Sequence, residues 1–369
     1  MSSPLERTPL YEEHAKLGGK LVPFAGFEMP VQYPTGITGE HRAVREAAGL
    51  FDVSHMGEFI VRGPQALDLV QRVTVNDGSK VEIGQAQYSA MCLESGGIVD
   101  DLLVYRFADH YMLVVNAANL EKDWVWVNSH AVGLDVELED VSVATALLAL
   151  QGPAAREILR PLVDVDLDAV TYYRFTEGRV AGVPATIAGT GYTGEDGFEL
   201  YVDSADVVGV WRKLLQAGTS DGLVPVGLGA RDSLRLEMGY ALYGNELDAE
   251  HTPLEAGLAW ITKLEKGEFV GRDALVAQRK DGIHRRMVGL VLGERAFPRH
   301  GYGILADGEP VGEVTSGTLS PSLGIGVAMG YVPAQRAAPG TKLQVDARGR
   351  SLDAVVTRPP FYTQGSIRR

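Results

Sequence analysis

The run Gly189-Thr190-Gly191-Tyr192-Thr193-Gly194-Glu195-Asp196-Gly197-Phe198-Glu199 constrains this chain most, because its first six residues spell G-x-G-x-x-G in a context that contradicts the dinucleotide-binding use of that pattern. That use needs a helix to begin within the glycines and aim its N-terminus at a pyrophosphate. Here Phe198, Leu200 and Val202 alternate with Glu199, Tyr201 and Asp203, a period of two that predicts a strand. The glycines are therefore expected to join two strands in a tight connection where backbone can approach a ligand. Glu199 is left as a carboxylate on the departing strand.

Strands and helices can be read on either side of this turn. Thr38 is placed to cap a helix through about Ala48, with Gly49 as its stop. The alternation over Gly57–Val61 predicts a strand, and Gly63-Pro64 opens a helix whose Ala66, Leu69, Val70 and Val73 share one face. Leu102–Phe107 and Tyr111–Val115 read as a hairpin around Ala108-Asp109-His110, followed by a helix presenting Leu120, Trp124, Val127 and Ala131. A second apolar strand, Ala144–Leu150, meets a second Gly152-Pro153 and a second amphipathic helix with Ile158, Leu159 and Leu162. The recurrence suggests two similar α+β units packed together. Val208–Leu215 and Ala230–Leu236 read as further helices.

From about Arg286 the pattern becomes all-β. Met287–Leu292, Gly303–Val314, Gly326–Val332, Lys342–Val345 and Leu352–Val356 are apolar strands punctuated by Asp307-Gly308, Pro339-Gly340 and Arg348-Gly349, with Thr262–Asp273 as the expected boundary.

Composition bounds the function. At 369 residues, 45% of them hydrophobic, two or three domains are expected. A net charge of −14 argues against nucleic acid as a partner, although a local basic patch could take an anionic cofactor. The single Cys92 excludes an internal disulfide and any multi-cysteine metal site, and fits a reducing compartment. The histidines show no paired-ligand spacing, so no metal is expected. No secretory or presequence pattern opens the chain, and no span approaches the roughly 20 apolar residues that cross a bilayer. The expectation is a soluble cytoplasmic protein with no membrane partner.

Asp100 and Asp101 sit where the Gly96-Gly97 turn feeds a strand, so alternation sends them to opposite faces and they cannot both serve one site. Either one reads equally well as a turn residue or a partner of Arg106. Glu199 reads as an exposed strand position or as a carboxylate suited to adjacent N–H donors. Arg231 reads as an intrahelical partner of Asp232 or as a contact to a carbonyl or carboxylate; an Arg235–Asp232 pair is a further option. Asn116 ends a strand. Tyr88, Tyr172, Tyr192 and Tyr243 serve either packing or a flat ligand ring. Ser54-His55 lacks a G-x-S-x-G elbow, and a core or turn role suits His55 better.

The Gly189–Glu199 run resembles the G-Y-T-G-E-x-G-[FY]-E signature of the glycine cleavage T-protein family, the tetrahydrofolate-dependent aminomethyltransferases. The resemblance extends in order through Thr8-Pro9-Leu10-Tyr11, Phe51-Asp52-Val53-Ser54-His55-Met56, Gly96-Gly97-Ile98-Val99-Asp100-Asp101-Leu102, Val115-Asn116-Ala117 and Leu150-Gln151-Gly152-Pro153. It continues through Gly227-Leu228-Gly229-Ala230-Arg231-Asp232, Leu242-Tyr243-Gly244, Thr315-Ser316-Gly317 and Pro360-Phe361-Tyr362.

The resemblance implies a three-lobed α+β fold: residues 1–54 with 137–270 as a folate-binding lobe, 55–136 as an inserted α+β lobe, and 280–369 as an all-β domain of barrel or jelly-roll type. A channel between lobes would hold tetrahydrofolate as cosubstrate, the lipoyl-carrying H-protein would deliver an aminomethyl group, and the products would be ammonia and 5,10-methylenetetrahydrofolate. It implies that Asp101 lies beside the folate nitrogens and handles charge and proton, and that Glu199 and Arg231 hold the cofactor. Asn116, Tyr88, Tyr192, Tyr172 and Tyr243 would line the channel, and Arg368 and Arg369 would reach the cofactor's carboxylates.

Two rival activities share the fold. A non-catalytic folate protein of iron–sulfur cluster assembly would carry K-G-C-x-x-G-Q-E, where this chain has Leu242-Tyr243-Gly244-Asn245-Glu246. A folate-dependent demethylase of sarcosine, dimethylglycine or a sulfonium compound is the other, and its amine-oxidising members usually carry a fused flavin domain for which no length remains here.

Overall fold

The two strand–Gly-Pro–helix units build two sheets of matching topology in the computed structural model, which describes residues 4–368. The first unit runs Gly57–Arg62, helix Ala66–Val73, Gln85–Cys92, Ile98–Arg106, His110–Val115, helix Leu120–Ala131 and Glu137–Asp140. The second runs Thr145–Gln151, helix Ala155–Leu159, Phe175–Val180, Val183–Ala188, Gly197–Asp203, helix Val207–Ala217 and Leu223–Val226. Both sheets order their strands alike, except that Ala48–Asp52 is inserted between the first and last strands of the second. It pairs antiparallel with Thr145–Gln151 and parallel with Leu223–Val226.

The sheets stack face to face. Ile60, Tyr105, Met112 and Val114 of one meet Phe51, Leu147, Ala149 and Tyr201 of the other in a shared core. Each outer face is covered by its own helices, with Phe59, Leu69 and Val127 on one side and Leu148, Phe198, Val210 and Trp211 on the other. Both faces of the Gly197–Asp203 strand are thus buried, which is why its alternation does not divide core from solvent.

The third element is a closed six-stranded barrel of Arg285–Leu292, Gly303–Ala306, Glu309–Leu319, Gly326–Pro333, Lys342–Ala347 and Arg350–Thr357. The run Gly303–Val314 is two strands, since Asp307 and Gly308 both take positive φ and make the turn of a tight hairpin.

Elsewhere the structure departs from or adds to the reading of the sequence. The first long helix spans Gly36–Glu46, and Gly49 is no helix stop but part of the strand Ala48–Asp52. A Cβ there would lie 2.5 Å from methyl groups of both Val44 and Val226. The strand Glu137–Asp140 pairs with Gly57–Arg62 in the five-stranded sheet. The hairpin Lys20–Phe24 with Phe27–Gln32 was not expected; Pro23 and Pro30 interrupt its pattern.

One helix, Leu228–Met238, joins the lobes to the barrel. Ala230 and Leu234 pack into the intersheet core, while the fully buried Glu237 accepts hydrogen bonds from Arg45 Nη2 at 2.9 Å, Ser320 Oγ at 2.5 Å and Ser322 Oγ at 2.8 Å. Arg235, also buried, pairs with Glu246 at 2.7 Å.

Candidate active site

Where the sheets, this helix and the barrel meet, a cavity of about 830 Å³ opens. The five-stranded sheet contributes Tyr88, Asp101 and Asn116, and the glycine run and its strand contribute Thr190, Gly191, Tyr192 and Glu199. Arg231, Tyr172 and Trp260 complete the polar and aromatic wall, and Met287, Val288 and Arg358 come from the barrel side. The volume falls within the range of small-molecule sites.

The glycine run is shaped by close packing. Gly194 has φ +77°, and a Cβ on Gly191 would lie 2.0 Å from Gln151 Oε1. No helix begins there: Val183–Ala188 and Gly197–Asp203 are paired strands, so the dinucleotide reading is excluded by geometry.

Alternation separates the two aspartates. Asp101 lines the cavity, while the fully buried Asp100 accepts from Asn116 N at 3.0 Å, Asn116 Nδ2 at 2.9 Å and Asn119 Nδ2 at 2.6 Å. Asn116 Nδ2 also lies 2.9 Å from Asp101 Oδ1, and the Tyr88 hydroxyl donates to Asp101 Oδ2 at 2.9 Å. Burial first, and the neighbouring Asp100 second, push the Asp101 carboxyl up to about 7 against these hydrogen bonds. A group so poised can take or return a proton at neutral pH.

Glu199 is buried but borders the cavity, not bulk solvent. Its Oε2 accepts from Thr190 Oγ1 at 2.5 Å, and among the described residues no donor reaches Oε1. Burial raises its carboxyl, opposed by the Thr190 bond and the Arg231 charge.

The Arg231 side chain makes no hydrogen bond or ion pair among the described residues; its guanidinium carbon lies 4.7 Å from the centre of the Tyr192 ring. Asp232 is instead engaged by Arg235 Nε at 2.8 Å. Burial lowers the Arg231 pKa from its ordinary value. A carboxylate with a free oxygen and a guanidinium with free donors therefore face one space.

The aromatic positions differ among themselves. Tyr192 stacks on Tyr240 at 5.6 Å and donates to Ala241 O, and Tyr88 stacks on Trp260 at 6.2 Å. Tyr172 lies at the cavity wall against Tyr173. Tyr243 is not part of the lining among the described residues; Lys122 Nζ sits 4.1 Å from its ring centre. His55 is buried with its ring edge-on to Phe24, burial lowering it to about 4. Cys92 is fully buried. Arg369 and the side chain of Arg368 lie outside the described residues.

Trp260, Arg358 and Tyr105 were not singled out in the sequence. Only Tyr105 carried a signal, as the third member of the alternation Asp101, Leu103, Tyr105.

A double-sheet body closed by a small barrel around a ligand-sized cavity is the aminomethyltransferase fold. A crystal structure of the glycine cleavage system aminomethyltransferase T from Bartonella henselae matches with a TM-score of 0.92 and 37% identity, over 98% of this chain and 99% of that one. Residues 10–266 match the family model of the GCVT N-terminal domain, and residues 285–363 that of the glycine cleavage T-protein C-terminal barrel domain. Aminomethyltransferases from Symbiobacterium thermophilum and Moorella thermoacetica are each 53% identical, covering 98% and 97% of this chain and 98% of each relative. The chain belongs to the glycine cleavage T-protein family and is an aminomethyltransferase.

Proposed function

We propose that the cavity takes tetrahydrofolate as cosubstrate and that the aminomethyl group arrives on the lipoyl arm of the H-protein, in the cytoplasm. The observation that carries this reading is the convergence of Asp101, Glu199 and Arg231 on one space, where Glu199 Oε1 and the Arg231 guanidinium have no hydrogen-bond partner among the described residues. The fit to a reduced folate is chemical: Glu199 suits the adjacent N–H donors of an aminopyrimidine edge, and Arg231 suits a carbonyl or carboxylate acceptor. The Tyr192 ring beneath Arg231 and the stacked Tyr88 and Trp260 offer flat apolar surfaces.

Bound tetrahydrofolate supplies the nucleophilic nitrogens that receive the one-carbon unit. Asp101 holds or moves a proton at its carboxylate oxygens and steadies positive charge beside them. Tyr88 and Asn116 fix those oxygens with one donor each, and Tyr172 contributes at the cavity wall. Enclosure excludes water and holds the two large substrates in register. In the proposed division, residues 1–54 with the segment to about 270 form the folate-binding lobe, the inserted lobe supplies Asp101, and the C-terminal barrel closes the site. No helix is long and apolar enough to cross a membrane among the described residues.

The test is direct. Purified protein mixed with tetrahydrofolate and aminomethylated lipoyl carrier should release ammonia and form 5,10-methylenetetrahydrofolate together. Appearance of neither product would defeat the reading.

A further inference from the structure

Behind Glu199 runs a chain of buried hydroxyls. Tyr201 OH donates to Tyr105 OH at 3.0 Å, Tyr105 OH lies 3.1 Å from Thr190 Oγ1, and Thr190 Oγ1 donates to Glu199 Oε2 at 2.5 Å. Tyr105, Tyr201, Thr190 and Glu199 are all buried. Tyr201 and Glu199 are two apart on one strand and share its inward face, whereas Tyr105 comes from the facing sheet.

The polarity of the chain is fixed by its last member. An ionised carboxylate only accepts, so Thr190 must donate to it; Thr190 then accepts from Tyr105, and Tyr105 accepts from Tyr201. Each donor thereby strengthens the next, in a dry environment where such bonds count for more than in water. Glu58, on the facing strand Gly57–Arg62, makes no side-chain hydrogen bond among the described residues, so it does not compete for the Tyr201 hydroxyl, and burial pushes its carboxyl well above the usual carboxylate range.

We infer that Tyr105 is a positioning residue for the ligand-binding carboxylate, acting through Thr190 to commit Glu199 Oε2 inward and leave Oε1 turned to the cavity. The inference rests on the reading that Glu199 holds the pterin. It has a mechanical corollary, because the strand Ile98–Arg106 that brings Tyr105 also brings Asp101, four residues and roughly 13 Å away. One strand of the inserted lobe thus sets both the acid beside the reacting nitrogens and the acid that grips the ring.

The experiment compares Tyr105→Phe, Thr190→Val, Thr190→Ser and Glu199→Gln by calorimetric affinity for tetrahydrofolate and by separate kcat and KM. Tyr105→Phe should weaken affinity about threefold to tenfold, with kcat at saturating folate within about twofold, and Thr190→Val should weaken affinity about tenfold to a hundredfold. Thr190→Ser should restore affinity. Repeating the titration with a 2-desamino analogue, which lacks the donor Glu199 would grip, should erase the Tyr105→Phe effect. The inference is overturned if Tyr105→Phe and Thr190→Val bind tetrahydrofolate normally while Glu199→Gln does not, or if the analogue suffers the same loss. If Glu199→Gln itself binds normally, the pterin-holding reading falls and takes the inference with it.

Discussion

The Tyr88 phenol donates to Asp101 Oδ2 at 2.9 Å, in a wall where burial disfavours the charge that this bond supports. The carboxyl sits at about 7 as the balance of burial and Asp100 on one side and the Tyr88 and Asn116 hydrogen bonds on the other. If Asp101 works as a carboxylate, kcat/KM should rise with pH through about 7. Tyr88→Phe removes a bond that favours the ionised form, so the rising limb should move up by about half to one unit. A pH–rate profile that stays put would show that Tyr88 does not act through Asp101.

Asp101→Asn should bind tetrahydrofolate nearly as well as the wild type while losing about a hundredfold to ten-thousandfold in turnover. The same substitution bears on stability. The folded carboxyl lies above its unfolded value of about 3.9, so the folded state binds more protons between there and about 7, and its stability falls as pH rises through that window. Asp101→Asn escapes the penalty. Its melting temperature should exceed the wild type's by about 1–4 °C at pH 8, with the gap closing near pH 4. Equal melting curves at pH 8 would mean the carboxylate is better solvated than its burial implies.

What the sequence disclosed follows the reach of each interaction. Period-two alternation identified Gly197–Asp203 as a strand, and with it the reason the glycine run could not grip a dinucleotide, because both are local facts. It left Glu199 open to a solvent-facing reading, since only the five-stranded sheet, packed on that face, makes the position inward. Gly49 misled for the same reason: its missing Cβ answers to Val226, far along the chain, and a helix-stop rule reads only neighbours. Asp100 and Asp101 were separable by alternation alone. Trp260 and Tyr243 were not, because the cavity wall they border or miss is drawn by an irregular segment without period.

Arg231 and Glu199 should dominate folate affinity rather than turnover. A guanidinium without a protein partner gains its hydrogen bonds from the ligand, and such charge-assisted contacts are worth about 1.5–3 kcal/mol each. Arg231→Met and Glu199→Gln should each raise the tetrahydrofolate Kd about tenfold to a hundredfold, with kcat at saturation much less affected. A mainly kcat effect in either would move that residue from holding the ligand to the chemical step.

Barrel residues line part of the cavity, and Glu237 is one of the residues that tie the barrel to the lobes. Its carboxylate is fully buried between Arg45 of the first long helix and Ser320 and Ser322 of the barrel. Burial alone would raise it, but the His41 ring, whose Nε2 lies 3.2 Å from Glu237 Oε2, the Arg45 charge and the Ser320 bond hold it at about 2. Glu237→Ala should cost about 3–5 kcal/mol by stranding those groups, tempered by the second partner of Arg45, Glu195 at 2.7 Å. Glu237→Gln keeps an acceptor for the serines and should cost less. The sign with pH follows from the depressed carboxyl: its stabilisation is fully present above the unfolded value of about 4.3 and is lost as pH falls toward about 2. The gap between wild type and Glu237→Gln in denaturant unfolding should therefore be widest above pH 5 and shrink in acid. A gap that is constant with pH would assign the cost to packing rather than to this charge.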